Sequence, residues 1–329
     1  ILFLAPGIGS QSRSVGIVSA WRAWRNPTAD PVAYQIAFVL RLPRTLLALQ
    51  VGVTLALCGA VFQVLFRNAL ATPYTLGISS GGSLGALVAI KLGWQVSILG
   101  ISTVSIASMA GASGVIAVVF AFTRGKGRLT TNELLLAGVT MGLFCSAMMM
   151  LVTYLSSARE TFEIIRWMMG SLDTIGNFSA ATMLPLVLPA WIVLPLFARR
   201  FNQYVLGDEL AASRGVAVRR MQIVSVLIAS LATAAVVAVC GPIGFVGLVV
   251  PHITALAFGR DCRLLIPASA LLGGVLLAIC DWISQLAMGW VGDITGRPLG
   301  SAILPIGVVT AIVGVPIFLV LLRRRATPV

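Results

Sequence analysis

The segment Leu206-Gly-Asp-Glu-Leu-Ala-Ala-Ser-Arg-Gly215 is a polar excursion between strongly apolar stretches. Its residues fit a short helix. Asp208 can cap it, Glu209 suits its positive N-terminal end, and Gly215 can close it in the left-handed conformation. A helix of this kind along a membrane surface is suited to docking a partner, although on these residues alone an ordinary solvated loop fits slightly better. Arg41-Leu-Pro-Arg44 places two guanidiniums three positions apart, on one side of a helix start. They can meet the acidic groups of another protein or lipid headgroups. Asn68-Ala-Leu70 reads as a tight turn, with Pro73 starting the next segment. Asp281 is the one acid deep in an apolar stretch, and no Lys or Arg partner is evident nearby in the chain. An intramembrane acid is a candidate for ion coupling, and a hydrogen-bonded structural acid is at least as good a reading. His252, just after Pro251 near the end of an apolar run, reads as structural rather than as a ligand. Gly77, Gly81 and Gly85 recur every four residues without the Lys-Ser/Thr of a phosphate-binding loop, so close helix packing accounts for them. The cysteines (Cys58, Cys145, Cys240, Cys262 and Cys280) form no CxxC pair and read as small buried hydrophobes.

The elements that must position these residues are membrane helices. The chain has 329 residues, of which 58% are hydrophobic and 10% charged. Soluble domains carry about 25% charged residues, and no single core hides so much apolar surface. This excludes a soluble enzyme, a disordered tail protein and a disulfide scaffold. Apolar runs lie near 45–66, 75–92, 96–122, 133–155, 180–198, 221–240, 243–258, 264–288 and 303–322. Each is close to the roughly 20 residues that a spanning helix needs, whereas barrel strands would be shorter and alternating. Residues 7–38 look interfacial, with Trp21 and Trp24 at headgroup level, and Thr161–Gly170 reads as a short surface helix. Ile1–Pro6 reads as the end of a first helix. The triplets Leu57-Cys58-Gly59 and Val239-Cys240-Gly241 each close an apolar run and suggest inverted repeat halves, as in many transporters.

The net charge of +13 is distributed by side rather than gathered as a nucleic-acid patch. The loops at 67, 124–128, 199–220, 260–263 and 323–325 hold more Arg and Lys than the alternate loops, so the positive-inside rule makes them cytoplasmic. This puts the C-terminus inside and residues 7–44, with Arg41 and Arg44, outside together with Arg297; with the start of the first helix restored, both ends are inside. The resulting organisation is one all-α polytopic domain over 1–329. It comprises the end of a first helix and an outer loop (1–44), a first half (45–198), a cytoplasmic loop (199–220) and a second half (221–329).

Several long segments, in order, resemble the permease subunits of the iron-siderophore, haem and cobalamin importers, the FecCD-type ABC permeases (type II importers). These segments are Arg41–Arg44, Phe66–Gly81, Trp167–Leu172, Leu206–Val216, Cys240–Ile253, Leu264–Gly274 and Leu304–Arg324. The resemblance implies ten transmembrane helices per subunit, a homodimeric pore in a bacterial inner membrane, and two ATPase subunits beneath it. ATP and Mg would be bound there, with no cofactor in this chain and no enzymatic activity of its own. It also implies a periplasmic or lipid-anchored binding protein on top. By the same resemblance Gly207, Asp208, Glu209, Leu210, Ala211, Ala212, Ser213, Arg214 and Gly215 form a coupling helix seated in the ATPase. Arg41 and Arg44 meet acids of the binding protein, and Asn68 and Leu70 form a cytoplasmic gate. The family's usual Asn-Pro-Leu is Asn68-Ala69-Leu70 here. A further docking arginine falls at Gln285, with Arg297 in the loop beyond as its replacement. A secondary transporter coupled through Asp281, or a non-transporting membrane anchor, are the other readings.

Overall fold

The structure, a computed structural model, describes residues 17–26, 30–94, 96–98, 101–123, 131–172, 178–295 and 303–325. Arg297 and residues 1–16 lie outside them. The helices are α1 (Ile17–Arg25), α2 (Pro31–Tyr34), α3 (Leu42–Leu65), α4 (Ile78–Lys91), α5 (Thr103–Thr123), α6 (Thr131–Tyr154), α7 (Ala158–Met168) and α8 (Phe178–Leu196). They continue with α9 (Ala198–Val205), α10 (Asp208–Ser213), α11 (Val218–Cys240), α12 (Val246–Phe258), α13 (Cys262–Thr295) and α14 (Ile306–Arg325). Between α4 and α5 a small antiparallel ribbon pairs β1 (Ser97–Ile98) with β2 (Ile101–Ser102), so the span expected from residue 96 begins at Thr103. Among the described residues each of the nine apolar runs contains a helix. Among the described residues five are long and apolar enough to cross a membrane. The pair α8 and α9 is bent by 56°, and α4, α12 and α14 supply shorter apolar helices.

The outer loop expected to run to residue 44 is helical from Pro31 onward. Pro31–Leu65 is one continuous helix, with a π-helical stretch at Gln35–Arg41 between α2 and α3. Pro43 explains the wide turn. It has no N–H to donate, and its ring would press on the carbonyl four residues back in a regular helix. The Leu42 N–H reaches back to the Ala37 carbonyl instead.

Helix α3 is buried along most of its length and packs most heavily on α13. Lipid tails are as apolar as leucine, so close packing rather than a hydrophobic drive must hold such helices together. Glycine makes the approach possible. A Cβ on Gly52 would lie 2.2 Å from the Gly273 carbonyl oxygen, and one on Gly59 would lie 1.9 Å from that of Gly247. The glycine row of α4 behaves as its spacing predicts. A Cβ on Gly81 would lie 2.8 Å from the Gly111 oxygen of α5, and one on Gly85 would lie 2.1 Å from the Ala107 oxygen. Gly59 sits inside α3, six residues before its end, whereas Gly241 follows the end of α11. The two triplets therefore do not close their helices alike.

Non-helical backbone at membrane depth needs protein partners for its polar groups. The break Gly241–Phe245 between α11 and α12 has them. The Tyr74 hydroxyl donates to the Ile243 carbonyl (2.7 Å) and accepts from its N–H (3.3 Å), and the Ser171 N–H donates to the Cys240 carbonyl (2.8 Å). Helix α7 begins three residues earlier than expected, where Ser157 and Glu160 form a reciprocal capping box. Glu160 also meets Lys91 at 2.9 Å, and its carboxyl is pulled down to about 2, first by the Ser157 N–H and then by Lys91.

Candidate coupling and gating site

At the basic end of the bundle α3 runs out at Leu65 and the chain turns sharply. Arg67 takes the left-handed conformation (φ 47°), unusual for a residue with a side chain. The Asn68 side-chain oxygen accepts the Leu70 N–H at 2.9 Å, which closes the turn locally. Leu70 is 53% exposed at its tip. Thr72 and Thr75 then cap the short 3-10 helix Pro73–Leu76.

Helices α9 and α10 lie beside this turn. Gly207 (φ 135°) lets the chain reverse between them, and Gly215 (φ 81°) ends the segment as expected. Asp208 does not cap α10. It is the first residue of the helix, Gly207 occupies the cap position, and the Asp208 carboxylate turns instead to Arg67, whose Nη2 lies 2.6 Å from Oδ1. Glu209, Leu210, Ala212, Ser213 and Arg214 are exposed. Ala211 is fully buried and anchors the helix. The segment thus presents one face outward, with Leu210 as its apolar contact, and is held from behind.

Arg67 connects the two features that the sequence offered separately. Its Nη2 also donates to the Tyr204 carbonyl at 2.6 Å, and the guanidinium stacks 4.3 Å from the centre of the Tyr204 ring. The Tyr204 hydroxyl donates to the Leu65 carbonyl (3.0 Å) and accepts from Gln222 of α11 (3.0 Å). A second tie lies nearby. The Asp261 carboxylate accepts Asn202 Nδ2 (2.6 Å) and the Arg263 N–H (2.9 Å), and the Cys262 N–H donates to Asn202 (2.8 Å). These bonds, led by the Arg263 N–H, hold the Asp261 carboxyl below the usual carboxylate range. Nothing in the spacing of Arg67 or Tyr204 announced them. A single basic residue next to Asn68, inside so tight a turn, was the available signal.

At the other end Arg41 is buried, and the Arg44 side chain is 11% exposed. Arg44 Nε lies 2.8 Å from Oδ1 of Asp281, whose own side chain is 1% exposed. Gln285 Nε2 donates to the other Asp281 oxygen at 2.8 Å. Asp281 therefore does have a cation partner, drawn from 237 residues away, and the position read as a lost docking arginine serves this carboxylate. The two arginines of the docking expectation are recessed rather than displayed, and the third, Arg297, lies outside the described residues. His252 is buried with its ring edge-on to Phe318 (6.1 Å), and all five cysteines are buried. Among the described residues no cluster of His, Cys, Asp or Glu could hold a metal ion.

A polytopic helical bundle with short polar helices packed against its basic end is the architecture of an ABC-transporter permease. The fold matches a solved ABC transporter in an inward-facing conformation, assigned to the metal-chelate type, with a TM-score of 0.81 and 29% identity over 98% of this chain and 95% of that one. PsaBC from Streptococcus pneumoniae, solved with a Fab, shares the fold alone, at TM-score 0.56 and 12% identity over 89% and 94% of the two chains. In sequence the chain is 37% identical to the uncharacterized ABC transporter permease protein YvrB of Bacillus subtilis, over 90% of this chain and 81% of the other. It is 36% identical to the vitamin B12 import permease BtuC of Salmonella arizonae (92% and 86% covered) and 37% identical to the cobalamin import permease BtuC of Halobacterium salinarum (89% and 74%). Residues 1–324 match the FecCD transport family, and the chain belongs to it.

Proposed function

We propose that this ABC importer permease carries an iron chelate, haem or corrinoid across a bacterial inner membrane, through a pore completed by a second copy of the chain. A binding protein delivers the substrate outside, and two ATPase subunits inside supply the energy by gripping α10. On this reading the basic end is cytoplasmic and the C-terminal end of α14 lies there. The observation that carries it is the placement of α10. It is an exposed helix bounded by two positive-φ glycines, with Leu210 outward and Ala211 buried, tied through Asp208 to Arg67, the residue just before the Asn68–Leu70 turn. The relatives named for vitamin B12 and cobalamin import, and the solved transporter of metal-chelate type, support this chemical class.

Alternating access needs an element with two states that the energy source biases. Movement of α10 is read at the adjacent turn, which opens or closes the inner end of the pathway. Ion coupling through Asp281 is the weaker reading, because Arg44 and Gln285 already occupy both of its oxygens. Leu210→Asp tests the assignment, since it alters the outward face without touching the buried anchor. Loss of ATPase co-purification and of uptake in proteoliposomes is the expected result. Unchanged values for both would sink the coupling role of α10.

A further inference from the structure

We propose that Arg67 is the positioning residue that transmits movement of α10 to the gate turn, through a closed chain of contacts from Leu65 to Tyr204 to Arg67 to Asp208. The proposal rests on the reading of α10 as the ATPase contact. It assigns a role to a residue that lies in neither the α10 segment nor the Asn68–Leu70 turn.

Arg67 has a backbone cost. A left-handed non-glycine residue persists only where its surroundings impose the conformation. Here they do. One guanidinium nitrogen bonds both the Tyr204 carbonyl and the Asp208 carboxylate, each at 2.6 Å, and the plane stacks on the Tyr204 ring. The ring is fully buried and fixed in turn by Leu65 and Gln222. Arg67 and Asp208 are 42% and 38% exposed, so as a simple ion pair they would contribute little to stability. A weak pair that nevertheless imposes an uncommon backbone on the residue preceding Asn68 is explained by position rather than by energy. Displacing α10 pulls on the guanidinium, and the next residue along the chain is the first of the gate turn.

Arginine rather than lysine is required. A planar guanidinium can stack on the ring while its edge bonds a carbonyl and a carboxylate, whereas an ammonium is a point charge. The link lies within one subunit, so it works whatever the substrate is.

The test uses the full complex of permease, ATPase and binding protein in proteoliposomes, and reads vitamin B12, the probe suggested by the cobalamin-importing relatives, taken up per ATP hydrolysed. Arg67→Gly removes the link and relieves the left-handed strain, so it should fold. Arg67→Lys keeps the charge and guards against a folding defect. The expected result is that both variants retain the ATPase on purification while uptake per ATP falls at least about fivefold, in the range of ordinary coupling energies. Wild-type stoichiometry in Arg67→Lys and Arg67→Gly would overturn the proposal. So would loss of ATPase binding in step with uptake, which would make Arg67 only a support for α10. Failure of the wild-type permease to bind any ATPase would instead remove the underlying reading of α10.

Discussion

Replacing Asp281 with leucine removes the carboxylate that Arg44 holds at 2.8 Å. The Asp281 side chain is 1% exposed and that of Arg44 is 11% exposed, so little water is at hand to replace the lost partner. Deleting one member of a buried pair costs about 3–5 kcal/mol, most of it the cost of a charge left in a low dielectric. Asp281→Asn keeps an acceptor for Arg44 and is expected to cost less, about 1–3 kcal/mol. The double variant Arg44→Leu with Asp281→Leu removes both charges, and pairs replaced in this way are often neutral or more stable. The order of stability should therefore be wild type close to the double variant, then Asp281→Asn, then Asp281→Leu. Reversible unfolding in mixed micelles with a denaturing detergent gives the order directly. Two results would refute the reasoning: a single leucine variant within about 1 kcal/mol of wild type, or a double variant no more stable than Asp281→Leu. The same double variant separates mechanisms. If it still imports substrate in proteoliposomes, Asp281 is not an ion-coupling acid.

Two further outcomes are expected. Gly52→Val should abolish a stable fold or cost well over about 3 kcal/mol, because even a Cβ there meets the Gly273 carbonyl at 2.2 Å, while Gly114→Ala, which faces open space, should be silent in the same unfolding assay. The Glu160 carboxyl sits at about 2 against an ordinary 4.5, so the capping box of α7 is fully supported above the ordinary value and is lost only as pH falls through about 2. Protection of α7 amides from hydrogen exchange, corrected for intrinsic rates, should be unchanged between pH 7 and 5, and Ser157→Ala should lower it at both pH values.

The helices were legible because a membrane demands long apolar runs, and among the described residues each of the nine runs contains a helix, five of them long and apolar enough to span. The start of the first long helix was not. Pro31, Gln35 and Pro43 make 31–44 look irregular, and it took the π-helical stretch to accommodate Pro43 without breaking the helix. Short-range chemistry was half legible. Gly215 ends its segment as its residue type suggested, yet Asp208 gave up the capping position because a cation arrived from outside the segment. Contacts between distant residues left no trace in spacing. Arg44 and Asp281 are 237 positions apart, and Arg67 and Asp208 are 141 apart, so each could be read only as half of an interaction. The α10 segment stood out locally as polar residues amid apolar ones, whereas Tyr204, which fixes Arg67, is one aromatic residue among many.

Helix α3 begins at the Arg44–Asp281 pair and ends just before Arg67, a distance of about 35 Å at 1.5 Å per residue. Between these points its backbone rests directly on that of α13 at Gly52 and on that of α12 at Gly59. Side chains at a helix crossing act as springs, because rotamer changes absorb part of any displacement. At these two crossings backbone meets backbone, and the side chains beside the first are those of Ala56, Val53 and Leu49. Backbone contact leaves α3 little room to yield at these points, so a push at one end would reach the other largely as a shift of the whole rod, linking the chemistry at its two ends.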